Sequence, residues 1–117
     1  TLARWFTINF LINHSDQVDL VRNVVLSNDA KNYAAHRQGL AEGVIELIRP
    51  NPPLTHPSLV ITCENDSGST PEMSRAIASE IVGAETIILP HLQHLGLIEA
   101  PSVFTDLIAS FLRKNIS

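Results

Sequence analysis

The spacing of apolar positions changes near residue 57 and divides the chain into two differently organised parts. In the first dozen residues Trp5, Ile8, Asn9 and Ile12 fall at helical intervals, which predicts a helix with one buried face. Ser15-Asp16 reads as an N-cap, and Val18, Val21, Val24 and Val25 carry the helical period on to Asn28. Asn28-Asp29 marks a break and a second cap, leading into a short helix through Tyr33, Ala34, Arg37 and Leu40. Gly39 and Gly43 weaken that stretch, while Val44, Ile45, Leu47 and Ile48 continue its apolar pattern. From Arg49 to Pro57, four prolines in nine residues exclude any regular element.

Beyond Pro57 the pattern becomes that of an α/β protein. Ser58-Leu-Val-Ile-Thr-Cys63 is a short, apolar, β-branched run bounded by proline and by Glu-Asn-Asp-Ser-Gly, the mark of a buried strand. Thr70 and Pro71 open a helix whose Met73, Ile77 and Ile81 predict a core-facing stripe, with Gly83 closing it. Thr86-Ile-Ile-Leu89 is a second strand, stopped by Pro90. A loop with His91 and His94 follows, and Pro101 opens a last helix with an apolar face of Val103, Phe104, Leu107, Ile108, Phe111 and Leu112. Residues 1–56 are thus expected to form a mainly helical segment ending in a proline-rich linker. Residues 57–117 are expected to form strand–helix–strand–helix, in which a crossover helix makes the two strands parallel. Each strand is apolar along its length, as strands covered on both faces are. Two strands do not complete a sheet, so their neighbours are expected from another chain segment or another subunit.

Composition narrows the partners. With 44% apolar and 17% charged residues the chain has an ordinary globular make-up. Its net charge is −4 and its eight Lys and Arg are scattered, so no basic stripe for nucleic acid is present. Cys63 stands alone, which excludes an internal disulfide and suits a reducing, cytoplasmic setting. No apolar run reaches the roughly 18–20 residues that span a bilayer. The start, Thr1-Leu2-Ala3-Arg4-Trp5-Phe6, carries no Met and no signal layout, and reads as the middle of a longer sequence.

In open parallel sheets, ligands bind at the carboxyl ends of the strands. Asp66 lies just past the end of the first predicted strand and His94 past the end of the second. Two strands would therefore bring a carboxylate and an imidazole to one sheet edge. That arrangement suits an acid–histidine relay, in which the acid reaches one ring nitrogen and the other faces a nucleophile.

These residues also carry a resemblance. Leu59-Val-Ile-Thr-Cys-Glu-Asn-Asp-Ser-Gly-Ser-Thr-Pro71 resembles the strand and acid turn of α/β-hydrolases. Ala84-Glu-Thr-Ile-Ile-Leu-Pro-His-Leu-Gln-His94, continuing to Glu99-Ala-Pro101 and the closing helix, resembles their histidine loop. Arg4-Trp-Phe-Thr7 and Asn32-Tyr-Ala-Ala35 are similar to the cap-to-core region of the 3-oxoadipate enol-lactonase-like branch. The resemblance implies the C-terminal part of an α/β-hydrolase fold, with Asp66 as triad acid and His94 as base. It implies a serine hydrolase acting on a small-molecule ester, lactone or similar carbonyl, without metal or organic cofactor. Two features depart from the family. Cys63 stands where the strand usually ends in glycine, and no Gly-x-Ser-x-Gly elbow occurs anywhere. The nucleophile and the N-terminal half of the fold are therefore expected outside these residues, and the chain by itself is expected to be inactive and to self-associate.

Other candidates carry less chemistry. His91 and His94 form an H-x-x-H pair, but no carboxylate stands at ligand spacing, so no metal is expected. His91 is expected outside the reacting centre, and His14, His36 and His56 at the surface. Cys63 lies inside an apolar strand, where a thiol is inert packing. Glu99 is expected to cap or brace the final helix. Trp5 and Phe6 are expected in the core, with lining of an acyl pocket the other reading. The competing functional class is a non-catalytic interaction or ligand-binding module derived from the same fold.

Overall fold

Residues 59 to 63 and 85 to 89 both become strands, and their pairing organises the C-terminal half of a computed structural model that describes residues 1–116. Strands β1 (Leu59–Cys63) and β2 (Glu85–Leu89) are parallel, in register from Leu59 opposite Glu85 to Cys63 opposite Leu89. Both therefore end at the same edge. Helix α5 (Pro71–Ser79) connects them, with Pro71 in its first turn and the Thr70 hydroxyl accepting a hydrogen bond from the Met73 amide. Such a cap contributes about 1 kcal/mol.

Ahead of the strands lie α1 (Leu2–Trp5), α2 (Ile8–Asn13), α3 (Ser15–Ser27) and α4 (Ala30–Gly43), followed by one 3-10 turn at Val44–Leu47. Behind them come α6 (Gly96–Glu99) and α7 (Pro101–Asn115). Lys114 on α7 pairs with Glu85 at 2.7 Å, tying the last helix to the start of β2.

Several sequence expectations are corrected. The first helix is two helices, broken at Phe6-Thr7. Thr7 caps α2 by accepting from the Phe10 amide. The buried side chains are Phe6 and Phe10, whereas Ile8 and Ile12 are exposed. His14, not Ser15, takes the N-cap position of α3. Helix α4 runs through both Gly39 and Gly43, and none of its residues is buried. Helix α5 ends at Ser79, and Gly83 instead takes a φ of 74° in the turn before β2. Met73 and Ile77 are exposed, while Ser74 faces inward. The periodicity marked an apolar stripe correctly, but it is only partly covered: Ile77 and the half-buried Ile81 line an open concavity with Val44, Leu47, Ile48 and Leu54. On α7 likewise, Phe104, Leu107 and Phe111 are half-buried, and Val103, Ile108 and Leu112 are exposed.

A buried cluster joins the two halves. Phe6, Phe10 and Val18 form the buried cluster, with Leu95 and Ile98 from the loop and helix after β2 packed against it. The Phe6 and Phe10 rings stack with centroids 5.1 Å apart. The N-terminal helices are thus seated on the histidine loop. The radius of gyration is 16.4 Å, against roughly 13 Å for a compact domain near this length.

Candidate active site

Glu64 to Ser69 form the turn that follows β1. The Asp66 amide donates back to the Cys63 carbonyl at 3.1 Å. One carboxylate oxygen, Oδ1, then accepts from the amides of Gly68 at 2.9 Å and Ser69 at 2.8 Å. The Thr62 hydroxyl donates to the Ser69 carbonyl at 2.9 Å, pinning the far side of the turn. Asn, Asp, Ser and Gly are turn formers because their short side chains bond nearby backbone. Here that local chemistry consumes Oδ1 and leaves Oδ2 directed outward from the turn.

The loop after β2 brings the imidazole. Pro90 stops the strand, and His91 adopts a φ of 65°, a left-handed conformation that histidine tolerates better than most residues. The His91 amide donates to Glu64 Oε2 at 2.9 Å. The two loops are further joined by backbone bonds from Glu64 N to Leu89 O at 2.8 Å and from Asn65 N to Leu92 O at 3.0 Å. These links extend the strand pairing beyond the sheet edge.

His94 Nδ1 consequently sits 2.8 Å from Asp66 Oδ2. Asp66 is 7% exposed and His94 38%. Burial by itself would raise the Asp66 pKa. The amide of Ser69, the ring of His94, the amide of Gly68 and the charge His94 can carry outweigh it, holding the carboxyl below its usual range. An ionised carboxylate only accepts hydrogen bonds, so the shared proton belongs on Nδ1. In the neutral ring, Nε2 is then the basic nitrogen. Among the described residues it has no hydrogen-bond partner.

Beneath the pair, Cys63 is buried, and burial, followed by the nearby Asp66 charge, pushes its thiol pKa up. A thiol held protonated in this way is a packing group. Gly96 rests directly on it: a Cβ there would come within 2.5 Å of Cys63 Sγ and 3.1 Å of Leu92 Cβ. His91 is exposed and away from the Asp66 carboxylate, while Trp5 is half-buried with its ring centroid 6.0 Å from that of His94. Phe6 is fully buried. Glu99 braces α2 rather than the last helix: its carboxylate accepts from the Thr7 amide and, at 3.0 Å, from the Thr7 hydroxyl. Among the described residues no three His, Cys, Asp or Glu side chains cluster closely enough to hold a metal ion.

Sequence reasoning missed Gln93. Its side-chain amide faces the carbonyls of Ala3, Arg4 and Phe6, and with its nitrogen turned inward its two N–H donors are shared among the three. Its place beside His94 was the only signal available.

The same arrangement of strands and loops occurs in a solved structure, the enol-lactonase from Burkholderia xenovorans LB400. The two superpose with a TM-score of 0.82 at 30% sequence identity, over 96% of this chain and 42% of the enol-lactonase. This chain has the fold of the C-terminal part of an α/β-hydrolase. It spans about two-fifths of the length of the enol-lactonase it matches. No protein-family model matches the chain, and neither does any curated protein sequence. The α/β-hydrolase chain order places the triad acid before the histidine, and Asp66 precedes His94.

Proposed function

We propose that these residues supply the acid and the base of a serine hydrolase whose nucleophile comes from chain outside them. The observation that carries this reading is the 2.8 Å contact between Asp66 Oδ2 and His94 Nδ1 at the carboxyl ends of two paired parallel strands. The hydrolase fold and the likeness to an enol-lactonase support it. The substrate class is an ester, lactone or similar small carbonyl compound.

In this mechanism His94 Nε2 takes the serine proton as the hydroxyl oxygen attacks the carbonyl carbon. The imidazolium that results is stabilised by Asp66, which keeps its own charge and holds the ring in one tautomer. His94 then returns the proton to the leaving oxygen as the carbon–oxygen bond breaks. Water, deprotonated by the same nitrogen, releases the acyl group. No step calls on a cofactor. The lone, buried Cys63 suits a reducing compartment such as the cytoplasm.

The test is fluorophosphonate labelling of the longer gene product containing these residues, followed by an ester and lactone panel. A labelled serine outside residues 1–117, with turnover lost on His94→Ala, is expected. The 117-residue chain alone is expected to be unlabelled and inactive. A longer product that folds, resists labelling and hydrolyses nothing would favour the non-catalytic module instead.

A further inference from the structure

A general base works through the direction of its ring as much as through its basicity. His94 is held at Nδ1 by Asp66, but one hydrogen bond to an exposed ring leaves rotation about the side-chain bonds open. The backbone that carries the ring must therefore be fixed as well. Both neighbours of His94 are fastened to the same short piece of chain.

On one side, the Leu95 amide donates to the Trp5 carbonyl at 2.8 Å. On the other, the Gln93 side chain spans the carbonyls of Phe6, of Ala3 at 3.2 Å and of Arg4 at 3.3 Å. Helix α1 has only four residues, so its last carbonyls have no partners within the helix. Gln93 supplies the donor they lack. The same segment reaches the acid turn, where Arg4 Nε donates to Ser67 Oγ at 3.2 Å. It also lays the Trp5 ring beside the His94 ring. Residues 3–7 thus touch both members of the acid–base pair's loops, and Glu99 locks their far end through Thr7.

We propose that Gln93 is a positioning residue for the acid–base pair, acting through the carbonyls of residues 3–6 to fix the direction in which His94 presents Nε2. The inference rests on reading Asp66 and His94 as that pair. Only the donor capacity of Gln93 matters to it. A side chain of equal length that only accepts would repel the three carbonyls, whereas a lysine, with three donors and no acceptor, satisfies them.

The experiment is 15N and 1H NMR of the uniformly 15N-labelled 117-residue chain, comparing wild type with Gln93→Glu and Gln93→Lys. Wild type is expected to show His94 in a single Nδ1–H tautomer, with a slowly exchanging Nδ1 proton. Gln93→Glu is expected to lose that proton signal and to average the two ring nitrogens, while the amide shifts of β1, β2 and α5 stay in place. Gln93→Lys is expected to restore the wild-type signature. A folded Gln93→Glu chain with an unchanged His94 signature overturns the proposal. If Gln93→Glu does not fold, Gln93→Met, of similar length and without a donor, decides: a folded Met variant that keeps the signature overturns the proposal, and one that loses it while Gln93→Lys keeps it supports it. Neither readout depends on hydrolysis, so a failure of the proposed enzymatic activity would leave these spectra unmoved.

Discussion

Asp66 Oδ2 and His94 Nδ1 lie 2.8 Å apart although 28 residues separate them in the chain. The contact is built by register. Cys63 and Leu89 are partners at the ends of parallel strands, and the bonds from Glu64 to Leu89 and from Asn65 to Leu92 carry the pairing into the loops. The turn after β1 uses Oδ1 for its own amides and leaves Oδ2 for the ring. One carboxylate therefore both closes a turn and fixes a histidine tautomer.

That division of labour predicts a specific defect. In the proposed longer hydrolase, Asp66→Asn keeps its single oxygen on the turn amides and turns its NH2, a donor, toward Nδ1, so that the ring must carry its proton on Nε2. Turnover should fall by roughly 10⁴-fold, the scale seen when a triad histidine is held in the wrong tautomer. His94→Ala should lose activity on at least that scale, with KM little changed in both variants. Steady-state kinetics on folded variants checks this. Activity within a few fold of wild type would remove Asp66 and His94 from the mechanism.

The same carboxyl makes stability depend on pH. Its folded-state pKa lies below the unfolded value, so the folded chain holds the proton less readily than the unfolded one. The stabilisation is present above the unfolded carboxylate pKa of about 4. It is lost as pH falls through the lower folded value. Urea titrations of wild type and Asp66→Asn should diverge at neutral pH and converge on acidification. Parallel curves across that range would show that Asp66 titrates alike in both states.

Legibility in the sequence followed the range of the interactions. The acid turn was readable because Asn-Asp-Ser-Gly and the capped Pro71 helix are local chemistry within Asn65–Met73. His94 was readable because a strand-stopping proline places it at the same edge. The break at Phe6-Thr7 was not readable. The carboxylate that holds Thr7 is Glu99, 92 residues away, and no local period encodes it. Gln93 escaped for the same reason. Met73 and Ile77 were misread differently: spacing tells which face of a helix is apolar, not what lies against it.

Gly96 gives a test of packing beneath the pair. A Cβ at this position meets Cys63 Sγ at 2.5 Å, so Gly96→Ala forces the loop or the strand end to move. Overpacking of this kind costs about 1–3 kcal/mol. Cys63→Ala removes the clashing sulfur, and the double variant should recover a large part of the loss. Denaturant unfolding of both single variants and the double measures the coupling. Simple additivity would mean that the contact does not limit the site.

The uncovered apolar surface leads to the last expectation. Helix α5 exposes Met73 and Ile77, α7 exposes Val103, Ile108 and Leu112, and α3 exposes Leu20, Val24 and Leu26. Among the described residues the sheet has two strands, so each strand also has an unpaired edge. Monomeric proteins rarely leave patches of this extent open to water, and free strand edges template further pairing. The 117-residue chain alone is therefore expected to associate with itself as its concentration rises. Sedimentation velocity over a range from low to high micromolar should show growth beyond 12.8 kDa. The substitutions Met73→Lys and Ile77→Lys, placed on one exposed helix face, should shift the distribution toward monomer without unfolding the chain. A monomer persisting at the highest concentration would mean that these faces tolerate water as they stand.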